Sequence, residues 1–158
     1  MTGTSYRSSA SFGKRQEYIA VAELLRRGYD VYMTLVDDQQ IDCIVRLPDT
    51  PPRYIDLQIK ARSKSAKNAG TFAAMDIREP RENFLFLFYS EACDTYWIMP
   101  SLDIVKHANR NKTGKNAGKY SIVFCNRNTA GEWKPRPKWE SYENAFDRIG
   151  GREARRPD

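Results

Sequence analysis

One strand pair and one helix of this sequence carry residues whose types could do chemistry together. The segments IDCIVRL (41–47) and RYIDLQIK (53–60) read as neighbouring strands joined by PDTPP. With Leu47 and Arg53 closing an antiparallel hairpin, Val45 faces Ile55, Cys43 faces Leu57 and Asp42 faces Gln58. Successive side chains alternate between faces, and opposed residues share one. One face collects Ile41, Cys43, Val45, Leu47, Ile55, Leu57 and Ile59, which is a core. The other collects Asp42, Ile44, Arg46, Tyr54, Asp56, Gln58 and Lys60. Asp42 and Gln58 would then have Cβ atoms about 4.5–5.5 Å apart, with Lys60 one pleat further on. Oxygen donors suit a hard cation, and a lysine suits negative charge developing beside it. A half-exposed hairpin also has a polar outer face with no chemistry at all, and a bulge in either strand would break this register.

A second carboxylate comes from the helix expected over residues 13–28 (GKRQEYIAVAELLRRG), which Gly28 is placed to end. Tyr18, Val21, Ala22 and Leu25 follow the spacing of a buried stripe. Glu17 lies one turn before Ala20 and Val21 and two turns before Leu24, along the apolar side. An unpaired carboxylate is costly to bury there, so it wants a lysine, another cation or a metal. It also fits as a solvated acid that the dipole favours near a helix N-terminus. Asp37 and Asp38 read as turn residues.

The elements that must position these groups are strands over 30–36, 41–47 and 53–60, forming a meander after the helix. The apolar run 83–89 (NFLFLFY) reads as a strand buried on both faces, and 95–99 (TYWIM) as another strand. Pro100 and Ser101 open a short helix reaching about Ala108, 119–124 is a further strand, and WESYENAFDRIG is a closing helix. The order predicts an α/β fold, a mixed central sheet flanked by helices. The chain reads as one domain over 13–150, between a flexible lead (1–12) and a flexible tail (151–158).

A length of 158 residues suits one core, and 41% hydrophobic residues exclude a wholly disordered chain. No apolar stretch of about eighteen residues is present to span a bilayer. MTGTSYRSSASFGKR lacks the apolar core of a signal peptide, so export is not expected. Cys43, Cys93 and Cys125 are widely spaced and His107 is the only histidine, which leaves no Cys/His zinc site and no histidine triad. The cysteines read as reduced core residues of a cytoplasmic protein. The net charge of +6 makes an anionic partner plausible. Basic residues gather around Arg62, Lys64 and Lys67, across 106–119 with Lys112 and Lys115, and in WKPRPKW, where Trp133 and Trp139 flank Arg136. Basic residues interleaved with aromatics suit phosphate neutralisation and base stacking; taken singly, each cluster reads first as a solvated loop.

In order, spacing and strand type, GKRQEYIAVAELLRRGYDVY, IDCIV and YIDLQIKARS resemble the core of the PD-(D/E)XK nuclease superfamily. The likeness is to its Q-x-K branch, which is similar to Holliday-junction resolvases and small homing endonucleases of this fold. It covers roughly residues 12–62, with a weaker echo in TYWIMP and WESYENAF. The resemblance implies a restriction-endonuclease-like fold and metal-dependent cleavage of phosphodiester bonds in nucleic acid, expected to be DNA. It implies Asp42 as the central metal-binding aspartate, Glu17 as the helix glutamate that helps, the Ile59 carbonyl as a further ligand, and Lys60 as the lysine that orients or activates water. Gln58 stands in place of the usual acidic ligand, removing a formal charge. Mg²⁺ or Mn²⁺ fits such oxygen ligands. A catalytically silent module of the same fold, binding nucleic acid or mediating assembly, is the alternative. A homo-oligomer is expected where both strands of a duplex must be cut.

Overall fold

The computed structural model describes residues 5–36 and 38–150; Asp37, residues 1–4 and the tail 151–158 lie outside the described residues. Helix α1 (Ser5–Arg26) begins eight residues before the expected start, inside the segment read as a flexible lead. No proline interrupts that stretch, and the lone Gly13 costs a helix only about 1 kcal/mol. The helix ends as expected. Gly28 sits at φ +85°, with Gly28 N–H on Leu25 O at 2.9 Å and Tyr29 N–H on Leu24 O at 3.1 Å, the paired bonds of a Schellman motif. The buried stripe is Gln16, Ala20, Val21 and Leu24, whereas Tyr18 and Leu25 are 61% and 54% exposed. Both stripes satisfy helical spacing. The one taken turns small Ala20 to the sheet and leaves Glu17 at the margin of the contact.

The central sheet has five strands in the order β1 (Asp30–Met33), β2 (Cys43–Leu47), β3 (Arg53–Arg62), β5 (Phe84–Ser90) and β6 (Thr95–Pro100). Only β3 and β5 run parallel, so the sheet is mixed, as expected. The hairpin register is also as expected, with Leu47 opposite Arg53, Val45 opposite Ile55 and Cys43 opposite Leu57. The connection between β3 and β5 passes through a second, three-stranded sheet: β4 (Thr71–Met75), β8 (Tyr120–Val123) and β7 (Asn109–Arg110), with α2 (Ser101–His107) before β7. A two-stranded ribbon, β9 (Cys125–Arg127) with β10 (Trp133–Pro135), follows it.

The expected closing helix does not form. Residues Pro137–Tyr142 and Phe146–Gly150 are 3₁₀ turns separated by Asn144 at φ +48°. Asn144 N–H donates to Tyr96 O at 2.8 Å, its side-chain oxygen accepts Tyr96 N–H at 3.3 Å, and Glu143 bridges to Trp97. Pairing with the free side of β6 overrides helix propensity at that point.

The sheet separates two apolar cores, and β5 is buried on both faces. On one face, Ala20, Val21 and Leu24 of α1 pack on Cys43, Val45, Leu57, Ile59, Leu87 and Ile98, with Phe146 and Ile149. On the other, Phe84, Phe86, Phe88, Trp97 and Met99 meet Phe72, Ile122, Phe124 and Trp139. Phe124 lies 4.6 Å from the Trp97 ring and 4.9 Å from Phe88, so it joins the two sheets. Burying such a ring contributes about 2–3 kcal/mol. Among the described residues no helix is long and apolar enough to cross a membrane.

Candidate active site

The β2–β3 ladder changes where the chemistry was expected. Asp42 N–H donates to Leu57 O at 2.9 Å, although Leu57 already stands opposite Cys43. Two residues of one strand thus face one residue of the other, which is a β-bulge. The slip removes the expected Asp42–Gln58 pairing. Instead the Asp42 carboxylate accepts Ile59 N–H at 2.6 Å. Asp42 O accepts Thr34 N–H at 3.3 Å, while the Thr34 hydroxyl donates chiefly to Ile41 O at 2.6 Å, so the residue is held from both sides. Asp42 is only 6% exposed. Strand amides lie in the plane of the sheet. The carboxylate on Ile59 N–H therefore stands near that plane, between the face covered by α1 and the face carrying Gln58 and Lys60.

Glu17 approaches from α1. Its carboxylate is paired with Lys14 at 2.5 Å, one helical turn earlier. The Lys14 ammonium is pushed above its ordinary value, first by that hydrogen bond and also by the charges of Glu17 and Asp42. The Cys43 thiol is pushed up to about 12, chiefly by burial, with Asp42 and then Glu17 adding to it. Both carboxylates thus act on the same short stretch of β2.

On β3 the parallel register places Gln58 beside Phe86 and Lys60 beside Phe88, on the aromatic face. The Gln58 side-chain oxygen is buried and has no hydrogen-bond partner. An orphaned acceptor in such a place costs about 1–3 kcal/mol unless something binds it. Ile59 points its N–H toward β2, and a strand residue's C=O faces the same side. That carbonyl lies beyond Cys43–Leu57, the last residue pair of the β2–β3 ladder. Lys60 borders a cavity of about 370 Å³ with Gln40, Arg62, Phe72, Ala73, Ala74, Met75 and Asp76. A bulge in β4 between Phe72 and Met75, with Ala74 at φ +53°, shapes its far wall. Gln40 is fixed in its wall by donating to Asp76 O at 2.9 Å and accepting Arg78 N–H at 3.1 Å.

Among the described residues no group of three or more His, Cys, Asp or Glu side chains is gathered to hold a metal. Asp56, a further carboxylate on the outer face of the hairpin, is taken by Arg81 at 2.5 Å. The remaining donors are two carboxylates, the orphaned amide oxygen of Gln58 and the Ile59 carbonyl. All are hard oxygens, and the unpartnered acceptor fits a hard divalent cation.

The basic residues fall at two ends of the second sheet. Arg62 Nε donates to Thr71 O at 3.0 Å and Arg136 to Val123 O at 3.3 Å, where Thr71 pairs with Val123, so both are partly committed to holding structure. Lys64 and Lys67 are exposed in the turn between β3 and β4. Lys112 and Lys115 are exposed in the turn beyond Tyr120, which pairs with Met75 at the opposite end. Trp139 is not free to stack on a base: it is 3% exposed and its indole N–H donates to Val123 O at 2.8 Å. His107 is exposed at the end of α2. Lys14, Gln40 and Asp76 were not foreseen. Lys14 was readable as the i,i+3 partner of Glu17, whereas nothing local marks the other two.

No protein-family model matches this chain, and no curated protein matches it. Among solved structures, it is similar to a bacterial homing endonuclease, I-Ssp6803I. The TM-score is 0.58 and the identity 17%, over 90% of this chain and 91% of the other. The fold is therefore nuclease-like.

Proposed function

We propose that this chain is a divalent-metal-dependent endonuclease hydrolysing phosphodiester bonds in DNA. The observation that carries the reading is the buried, unpartnered Gln58 oxygen, on the strand that bears Lys60 and whose Ile59 amide holds Asp42. The likeness to a homing endonuclease supports DNA as the substrate. Glu17, Asp42, Gln58 and the Ile59 carbonyl would hold Mg²⁺ or Mn²⁺, which supplies Lewis-acid polarisation of a phosphoryl oxygen and a lowered pKa for bound water. Lys60 orients the attacking water and offsets the negative charge that grows on the phosphate. Asp42 cannot drift, because Ile59 N–H and Thr34 hold it. Arg62, Lys64, Lys67, Lys112, Lys115 and Arg136 neutralise phosphates along the duplex.

We also read the chain as self-associating. Strand β1 is a free sheet edge carrying exposed Tyr32 and Met33, with Leu35 and Val36 exposed just beyond it and no lysine on the strand to discourage pairing. A second copy of the chain is the occupant that would bring a second site to the same duplex. A monomeric mass together with intact double-strand cleavage would count against it.

A silent binding module has one observation in its favour: Asp56 is committed to Arg81, so the site is poor in carboxylates. Cleavage assays of wild type and Lys60→Ala with Mn²⁺, on duplex, single-stranded and branched DNA, decide between them. Metal-dependent cutting lost in the variant establishes the nuclease. Salt-sensitive binding without cutting on any substrate favours the silent module.

A further inference from the structure

Lys14 is placed where a second cation of the site would stand. Its ammonium lies 2.5 Å from Glu17, and it feels the charge of Asp42 as well. The two ends of the pair differ: the Lys14 side chain is 59% exposed and that of Glu17 only 17%. Lys14 thus reaches in from solvent to neutralise a carboxylate that belongs to the interior margin. With Lys14 and Lys60 against Glu17 and Asp42, the site is close to electrically balanced without a metal. A divalent cation upsets that balance, because Glu17 can serve the dication or the ammonium but gains far more from the dication. The displaced ammonium, tethered by a flexible four-carbon stem, then stands at an open surface that it shares with Ser11, Arg15 and Tyr18. The surplus positive charge is of the kind a polyanion balances.

We propose that Lys14 is a counter-ion with two successive partners: Glu17 while no metal is bound, and a backbone phosphate of the nucleic acid once metal has taken Glu17. Lys14 is then a positioning residue that couples metal binding to substrate binding. The inference rests on the metal-site reading above. In the free protein Lys14 opposes metal; in the complex it holds the strand beside Lys60.

The test is calorimetric titration of Mn²⁺ into wild type, Lys14→Met and Lys14→Arg without nucleic acid. It is paired with a salt series of binding to a random-sequence duplex in Ca²⁺. Circular dichroism melts check that the variants fold. Removing an ion pair of this exposure should tighten Mn²⁺ binding by up to about fivefold in Lys14→Met and leave Lys14→Arg near wild type. Duplex affinity should fall several-fold in Lys14→Met, with the slope of log K against log salt smaller by about one, and Lys14→Arg should restore both. If wild type binds Mn²⁺ but Lys14→Met binds it no tighter, or if the salt slope is unchanged, the two-partner role is wrong while the metal site stands. If wild type binds no Mn²⁺, both fail.

Discussion

The carboxylate of Asp42 accepts the main-chain N–H of Ile59 at 2.6 Å, so the central acidic residue of the candidate site is also a structural cap on the strand that carries Gln58 and Lys60. Asp42→Ala should therefore do two things at once. It removes the acceptor of a buried amide, costing about 1–3 kcal/mol, and it abolishes cleavage. Asp42→Asn keeps an oxygen for Ile59 N–H, so it should lose the activity at a smaller cost in stability. Denaturant melts beside cleavage assays check this, and equal stability of the two variants would contradict it.

Gln58 should show stability and function moving in opposite directions. Gln58→Leu removes an orphaned acceptor, raising stability by about 1–2 kcal/mol while abolishing Mn²⁺ binding. Gln58→Glu buries a second charge near Asp42. It should lower the melting temperature without metal, bind Mn²⁺ about tenfold tighter than wild type, and regain stability on saturation. Thermal melts with and without Mn²⁺ read all three effects.

Gly70 tests how closely the chain entering β4 approaches the start of β9. A Cβ there would lie 2.0 Å from the Cys125 carbonyl oxygen and 2.9 Å from its carbon, both main-chain atoms that cannot swing aside. Gly70→Ala should cost at least about 3 kcal/mol. At Gly13, inside α1, nothing lies within 4 Å of the same atom, and Gly13→Ala should gain about 0.5–1 kcal/mol.

Two of the three thiols, Cys93 and Cys43, should separate by pH. Interaction with Cys125 holds partly buried Cys93 below the ordinary thiol value, against the opposing effect of burial, while burial above all pushes the Cys43 thiol up to about 12. The thiolate is the reactive form, so the lowered value makes Cys93 the more reactive of the two and the raised one protects Cys43. Timed alkylation read by mass spectrometry should label Cys93 before Cys43, with a rate that rises at a lower pH than for an ordinary thiol. Cys43 should stay unlabelled until the protein unfolds.

The hairpin register was legible because alternation of apolar and polar residues on both sides of PDTPP admits one pairing. The bulge at Asp42 was not, because it is a main-chain slip with no side-chain signature. It still left Asp42, Gln58 and Lys60 around one stretch of β3, with the carboxylate on the Ile59 amide in place of the Gln58 side chain. Glu17 lies at the margin of the buried stripe, although the stripe that spacing suggests for α1, with Tyr18 and Leu25, is rotated from the one the sheet takes. The second sheet went unseen at β4, where TFAAM is alanine-rich and bulged and lacks the β-branched run that marks a strand. The closing segment kept its helical pattern, but Asn144 paired with Tyr96 instead.

The crossover from β3 to β5 has a consequence for how the molecule comes apart. Those two strands are adjacent and parallel, yet the chain between them leaves to supply β4 to the other sheet, and Phe124 is wedged against Trp97 from that side. Neither layer can be peeled off without opening the contacts of the other, so the domain should melt in a single cooperative transition. Glu17 depends on the helix layer, and the cavity beside Lys60 on the β4 layer. No half-unfolded form keeps the two together, so the site should be lost in step with the secondary structure, within that one transition.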